Sequence, residues 1–175
     1  MIEIEDKENF KNWFVNPIKT LSNMPDTGFP ILMIAIPLLE RYLRCVSGNF
    51  TDNLQNNFYD KLLELFPSLA NTNLSKDFWN VYRNGLLHQV TLNSQRAKGG
   101  VIPPEGWLHD DKPQEIEYDE HENRFFINPR LFAQKAIETI NNDFQTFRNP
   151  PYPDYPLPVI DERLLGTSVA GKYWK

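Results

Sequence analysis

Residues 75–92, Ser-Lys-Asp-Phe-Trp-Asn-Val-Tyr-Arg-Asn-Gly-Leu-Leu-His-Gln-Val-Thr-Leu, predict one amphipathic helix. At about 100° per residue, Phe78, Trp79, Val81, Tyr82, Gly85, Leu86, Val90 and Leu92 share roughly half the circumference. The opposite arc carries Asn80, Asn84, His88 and Thr91. Asn84 and His88 are four apart and therefore neighbours on a helix, whereas Arg83 leaves from the other side of the polar arc and reaches them through its long, forked side chain. Glycine inside a helix costs about 1 kcal/mol relative to alanine, so Gly85 predicts the close approach of another backbone. Leu87, apolar on the polar side, predicts contact with a second chain. Ser75 is the expected N-cap.

The segments around this helix are mostly helical in pattern. Upstream, Phe10, Trp13, Phe14, Ile18 and Leu21 recur at near-helical spacing, with Pro17 bending or dividing the run. After turn chemistry at residues 24–30, residues 31–46 form a strongly apolar helix closed by Ser47-Gly48-Asn49, with Pro37 inside and Glu40, Arg41 and Arg44 crowding its far end. Residues 52–66 make another amphipathic helix ended by Pro67. Downstream, residues 93–114 read as a long loop, and residues 115–119 and 124–128 as a β-hairpin. Pro129 opens a last helix to Arg148. From Asn149 to Lys175 the chain is a Pro/Tyr-rich, polyproline-like tail. The expectation is an all-α fold, a small antiparallel bundle of four to five helices in one domain over residues 1–148, with a hairpin inserted at about 115–128.

A chain of 175 residues is long enough to bury a core without metals or disulfides. Its single cysteine, Cys45, cannot form an internal disulfide, and no Cys/His cluster has zinc-site spacing, so no metal and no cofactor is expected. The acidic start, Met-Ile-Glu-Ile-Glu-Asp-Lys-Glu, lacks the basic flank and apolar run of a signal peptide, and residues 29–39 are too short to span a bilayer. A cytoplasmic, soluble protein is expected. The net charge of −5 argues against a general nucleic-acid binder. Its distribution is uneven: residues 30–100 carry seven basic and five acidic side chains, residues 101–129 two and eight. Arg41 and Arg44, and Arg96 and Lys98 beside Gly99-Gly100, are the candidate RNA-backbone contacts. His109 and His121 read as surface imidazoles without a ligand role.

The run Arg83-Asn84-Gly85-Leu86-Leu87-His88 resembles the signature of the HEPN superfamily (higher eukaryotes and prokaryotes nucleotide-binding domain): an arginine, a polar residue, and a histidine after a few intervening positions. The resemblance spans about residues 30–148. It implies a small helical bundle in which two protomers face each other and paired motifs form a metal-independent endoribonuclease site, with Arg83, Asn84 and His88 catalytic. It further implies a homodimer, an RNA substrate, a toxin–antitoxin or antiviral-defence setting, and a nucleotidyltransferase-like antitoxin as partner.

The residue types suit that chemistry independently. Histidine, with a reference pKa of about 6.5, can take or give a proton, and arginine offers fixed charge in a fork that fits phosphate. The chain supplies one suitable histidine, so a two-fold dimer would divide acid and base duties between protomers. The competing reading is a non-catalytic nucleotide- or RNA-binding or protein-interaction module, in which Asn84 and His88 occupy a solvated face and Arg83 pairs with a carboxylate such as Glu40.

Overall fold

The computed structural model describes residues 2–51, 53–89, 92 and 103–148; side chains are described from residue 6 onward and not at 87–89. Arg96, Lys98 and the tail at 149–175 lie outside the described residues.

The described chain is mostly helical with one small three-stranded sheet. Helix α1 (Ile2–Phe10) runs through a π-helical turn, Lys11–Val15, into α2 (Asn16–Ser22). Pro17 lies just after this π-helical turn, within an unbroken right-handed helical run, at a position where it cannot donate the backbone bond of an ordinary helix interior. Helix α3 (Gly28–Ser47) includes Pro37 and ends on Gly48 at φ 66°, a left-handed cap that glycine adopts without a Cβ penalty. Helix α4 (Asn56–Leu65) leads through a 3-10 turn, Pro67–Leu69, into α5 (Thr72–Trp79), whose N-cap is Asn71. Its side-chain oxygen accepts from the Leu74 amide at 3.0 Å. Ser75, the residue expected to cap, is instead buried within the first turns, its hydroxyl donating to the Asn71 carbonyl at 3.1 Å. From Asn80 to Gln89 the same helix continues in π-helical form.

Residues 93–114 are not wholly a loop. Within them β1 (Glu105–Leu108) pairs in parallel with β3 (Arg124–Ile127), which pairs antiparallel with β2 (Ile116–Asp119), giving the order β1-β3-β2. Helix α6 (Pro129–Asn142) is capped by the Asn128 side chain, and a short α7 (Phe144–Arg148) follows.

Helix α3 is the centre of the core. Ile31, Leu32, Ala35, Leu39 and Leu43 are buried on it, and it packs most extensively against α6, on which Phe132, Ala136 and Ile140 are buried. Aromatic pairs join the layers: Phe66 stacks on Phe132 at 5.1 Å, and Phe78 meets Phe125 edge-on at 5.7 Å, tying α5 to the sheet. Each such pair adds about 0.5–1.5 kcal/mol beyond area burial. No helix among the described residues is long and apolar enough to cross a membrane.

The sheet and the π-helical segment meet closely. A Cβ on Gly106 would lie 2.6 Å from Cγ1 of Val81, 3.0 Å from the Leu92 carbonyl oxygen and 3.1 Å from the Tyr82 ring. A close approach is thus built around Gly106 on the strand; Gly85, on the helix, is buried. Gly106→Ala must push the short Val81 side chain and a backbone carbonyl apart, and is expected to lower stability by about 1–3 kcal/mol, read as a fall in the urea midpoint at unchanged slope.

Candidate functional site

Arg83 is fixed from two directions. Its Nε donates to Oε2 of Glu40 at 2.8 Å and its Nη2 to Oε1 at 3.3 Å, a two-point grip on one carboxylate. Its Nη1 donates to Oδ1 of Asn84 at 3.0 Å. Asn84 in turn donates through Nδ2 to Oδ1 of Asn80 at 3.3 Å. The π-helical segment therefore presents Asn80, Asn84 and Arg83 as one hydrogen-bonded row, anchored to α3 by Glu40.

Glu40 is only 9% exposed. A carboxylate buried to that degree would ordinarily resist ionisation. Burial does push its pKa up, but hydrogen bonds and charge from Arg83 and Arg44 outweigh it and hold the carboxyl below its usual range. Arg44 contributes two bonds, from Nε at 2.9 Å and Nη2 at 2.7 Å, both to Oε1. It also donates from Nη1 to the carbonyls of Asn49 and Thr51, closing the C-terminal end of α3. Two guanidinium groups on one carboxylate leave the cluster with a net positive charge.

The π-helical form changes the geometry expected of the motif. In an α-helix, residues five apart lie about 140° apart around the axis. Closing i→i+5 places more residues in each turn, so the backbone positions of Arg83 and His88 come round much nearer to one line. Such π-helical turns occur frequently at functional sites. The His88 and Leu87 side chains lie outside the described part of the structure.

Tyr82, one position before Arg83, locks the segment to the sheet. Its hydroxyl donates to the carbonyls of Trp107 at 2.9 Å and Phe125 at 3.0 Å, sharing its single proton, and accepts from the Trp107 amide at 3.0 Å. Burial drives its pKa far upward, so the hydroxyl stays protonated. The apolar pattern places Tyr82 correctly in the core; its role as a polar stitch has no sequence signal, because of the two strands it grips only β3 is expected from the sequence and nothing there ties Tyr82 to it.

The remaining candidates are dispersed. Arg44 belongs to the Glu40 cluster, whereas Arg41, one residue from Glu40, donates from Nε to the Phe147 carbonyl at 3.0 Å and faces α7. His109 packs edge-on against Phe126 at 6.3 Å, and the His121 amide donates to Asp119 in the β2–β3 turn. Among the described residues no three His, Cys, Asp or Glu side chains are grouped to hold a metal ion. Comparison of the chain with protein-family models, curated proteins and solved structures finds no match.

Proposed function

We propose that the chain is a metal-independent endoribonuclease of the HEPN type acting as a homodimer, with Arg83, Asn84 and His88 in the site. The observation that supports this most is the fixed Arg83 on a π-helical stretch, with Asn84 bonded to it and the backbone of His88 brought toward its side. In the reaction, a base removes the 2′-hydroxyl proton and the 2′-oxygen attacks phosphorus. The bond to the 5′-oxygen breaks as an acid protonates it, leaving a 2′,3′-cyclic phosphate and a free 5′-hydroxyl. His88 of one protomer serves as base and that of the other as acid, while Arg83 meets the charge on the pentavalent phosphate. The resemblance places such an enzyme in toxin–antitoxin or antiviral-defence systems.

The test is RNA cleavage by the purified chain in EDTA, with product ends identified, compared in wild type, His88→Ala and Arg83→Ala. Cleavage that survives His88→Ala, or needs a divalent ion, rejects the mechanism. The dimer is tested separately: light scattering should give twice the 20.5 kDa chain mass at micromolar concentration, and a monomer would remove the shared-duty argument.

A second reading is favoured by one specific contact. The grip of Arg83 on Glu40 makes it a cross-link between α3 and the π-helical segment, as expected of a non-catalytic nucleotide- or RNA-binding or protein-interaction module. Under that reading Arg83→Ala destabilises the fold and no cleavage is detected in wild type.

A further inference from the structure

A groove of about 340 Å³ lies between α3 and the segments that flank it, lined by Trp13, Phe14, Met33, Pro37, Arg41 and Phe147 among others. It is apolar except for Arg41. The Arg41 guanidinium lies 5.3 Å from the centre of the Phe147 ring, and its Nη2 is buried without a hydrogen-bond partner. Every other arginine among the described residues has a carboxylate: Arg44 and Arg83 share Glu40, Arg124 has Glu105 and Glu122, Arg130 has Asp110, and Arg148 has Asp6. Arg41 alone has none. A half-buried cation at the edge of an apolar groove calls for an occupant with apolar bulk and one anionic group.

The chain contains a segment of that chemistry close by. Residues 150–158 read Pro-Pro-Tyr-Pro-Asp-Tyr-Pro-Leu-Pro, with five prolines, two tyrosines, a leucine and one charge, Asp154. Phe147, which lines the groove, precedes this segment by three positions. Asp154 lies six positions after Arg148, a reach of up to about 20 Å when extended, ample for a return to a guanidinium already in contact with Phe147. Proline-rich segments suit aromatic-lined grooves because their carbonyls are unpaired and little ordering entropy is lost.

We propose that the groove is a binding site for residues 150–158 of the same chain, with Asp154 as the counter-ion of Arg41. The site is independent of the ribonuclease reading. It is tested on the intact chain by nuclear Overhauser contacts, expected between the rings of Trp13 and Phe147 and the prolines of 150–158. Asp154→Asn, which alters no described contact, should lower the docked-to-undocked ratio by about fivefold, the scale of one modest ion pair. Arg41→Met should do the same, and the double variant should lose no more than either alone. Absent contacts, or contacts indifferent to Asp154→Asn, overturn the proposal. So do contacts seen only between labelled and unlabelled chains in a mixed sample, which would make a second copy the occupant.

Discussion

RNA cleavage in EDTA is expected to fall by about 10²- to 10⁴-fold in His88→Ala, the range for removal of a positioned proton-transfer group. The fall is expected to reach the top of that range, because in a symmetric dimer one substitution removes both the acid and the base. Arg83→Ala should cost a further-reaching mixture, since it withdraws phosphate charge and also leaves Glu40 with Arg44 alone. Arg83→Lys separates these effects. Lysine keeps a positive charge that can still pair with Glu40 but loses the fork that fits phosphate, so a folded Arg83→Lys chain should retain thermal stability better than it retains cleavage. Single-turnover rates beside melting curves give the comparison, and cleavage tracking stability alone would make Arg83 a structural cross-link.

Glu40→Ala is expected to destabilise the fold by about 3 kcal/mol, the low end for breaking a buried ion pair, because the abandoned arginines remain partly accessible to water. Their side chains are 19% and 26% exposed. The same carboxylate makes stability depend on acidity in a defined direction. Its pKa is lower in the folded chain than when unfolded, so its contribution is fully present above the ordinary carboxylate range and is lost as pH falls through the lowered folded value. Urea midpoints measured down the acid limb should fall less steeply in Glu40→Gln than in wild type. Equal slopes would mean that Arg83 and Arg44 do not favour the charged form.

Helix positions were readable because apolar residues recur at helical spacing, as on α3 and α6, and because Gly48 and Pro129 mark an end and a start. The cap of α5 was misplaced because Asn71 sits in a polar run that looks like a linker, and its bond to Leu74 is a local geometry that Ser75 equally suggests. Strand β1 was hidden for a different reason. Glu105-Gly106-Trp107-Leu108 is too short and too interrupted to alternate, and its partner β3 follows β2 in sequence, so nothing nearby announces the pairing. The π-helical turn is silent as well: Phe78, Tyr82 and Gly85 suit either helix closely enough that the apolar stripe does not distinguish them. Within the candidate site, the motif singles out Arg83 and Asn84, which the fold joins by a hydrogen bond, and Glu40 is the carboxylate that the competing reading pairs with Arg83. The second grip on Glu40 by Arg44 has no sequence signal, because four-residue spacing on one helix looks the same for a solvated pair as for a buried clamp.

The Tyr82 hydroxyl also joins parts of the chain that sequence keeps apart. Its partners lie 25 and 43 positions further along, whereas the helix that carries Arg83 is built from local contacts. Closing loops of that length carries an entropy cost that local helix contacts do not. A chain ended before β3 would therefore keep the Trp107 half of the stitch and lose the Phe125 half, leaving Arg83 and its asparagine neighbours held to the sheet on one side alone.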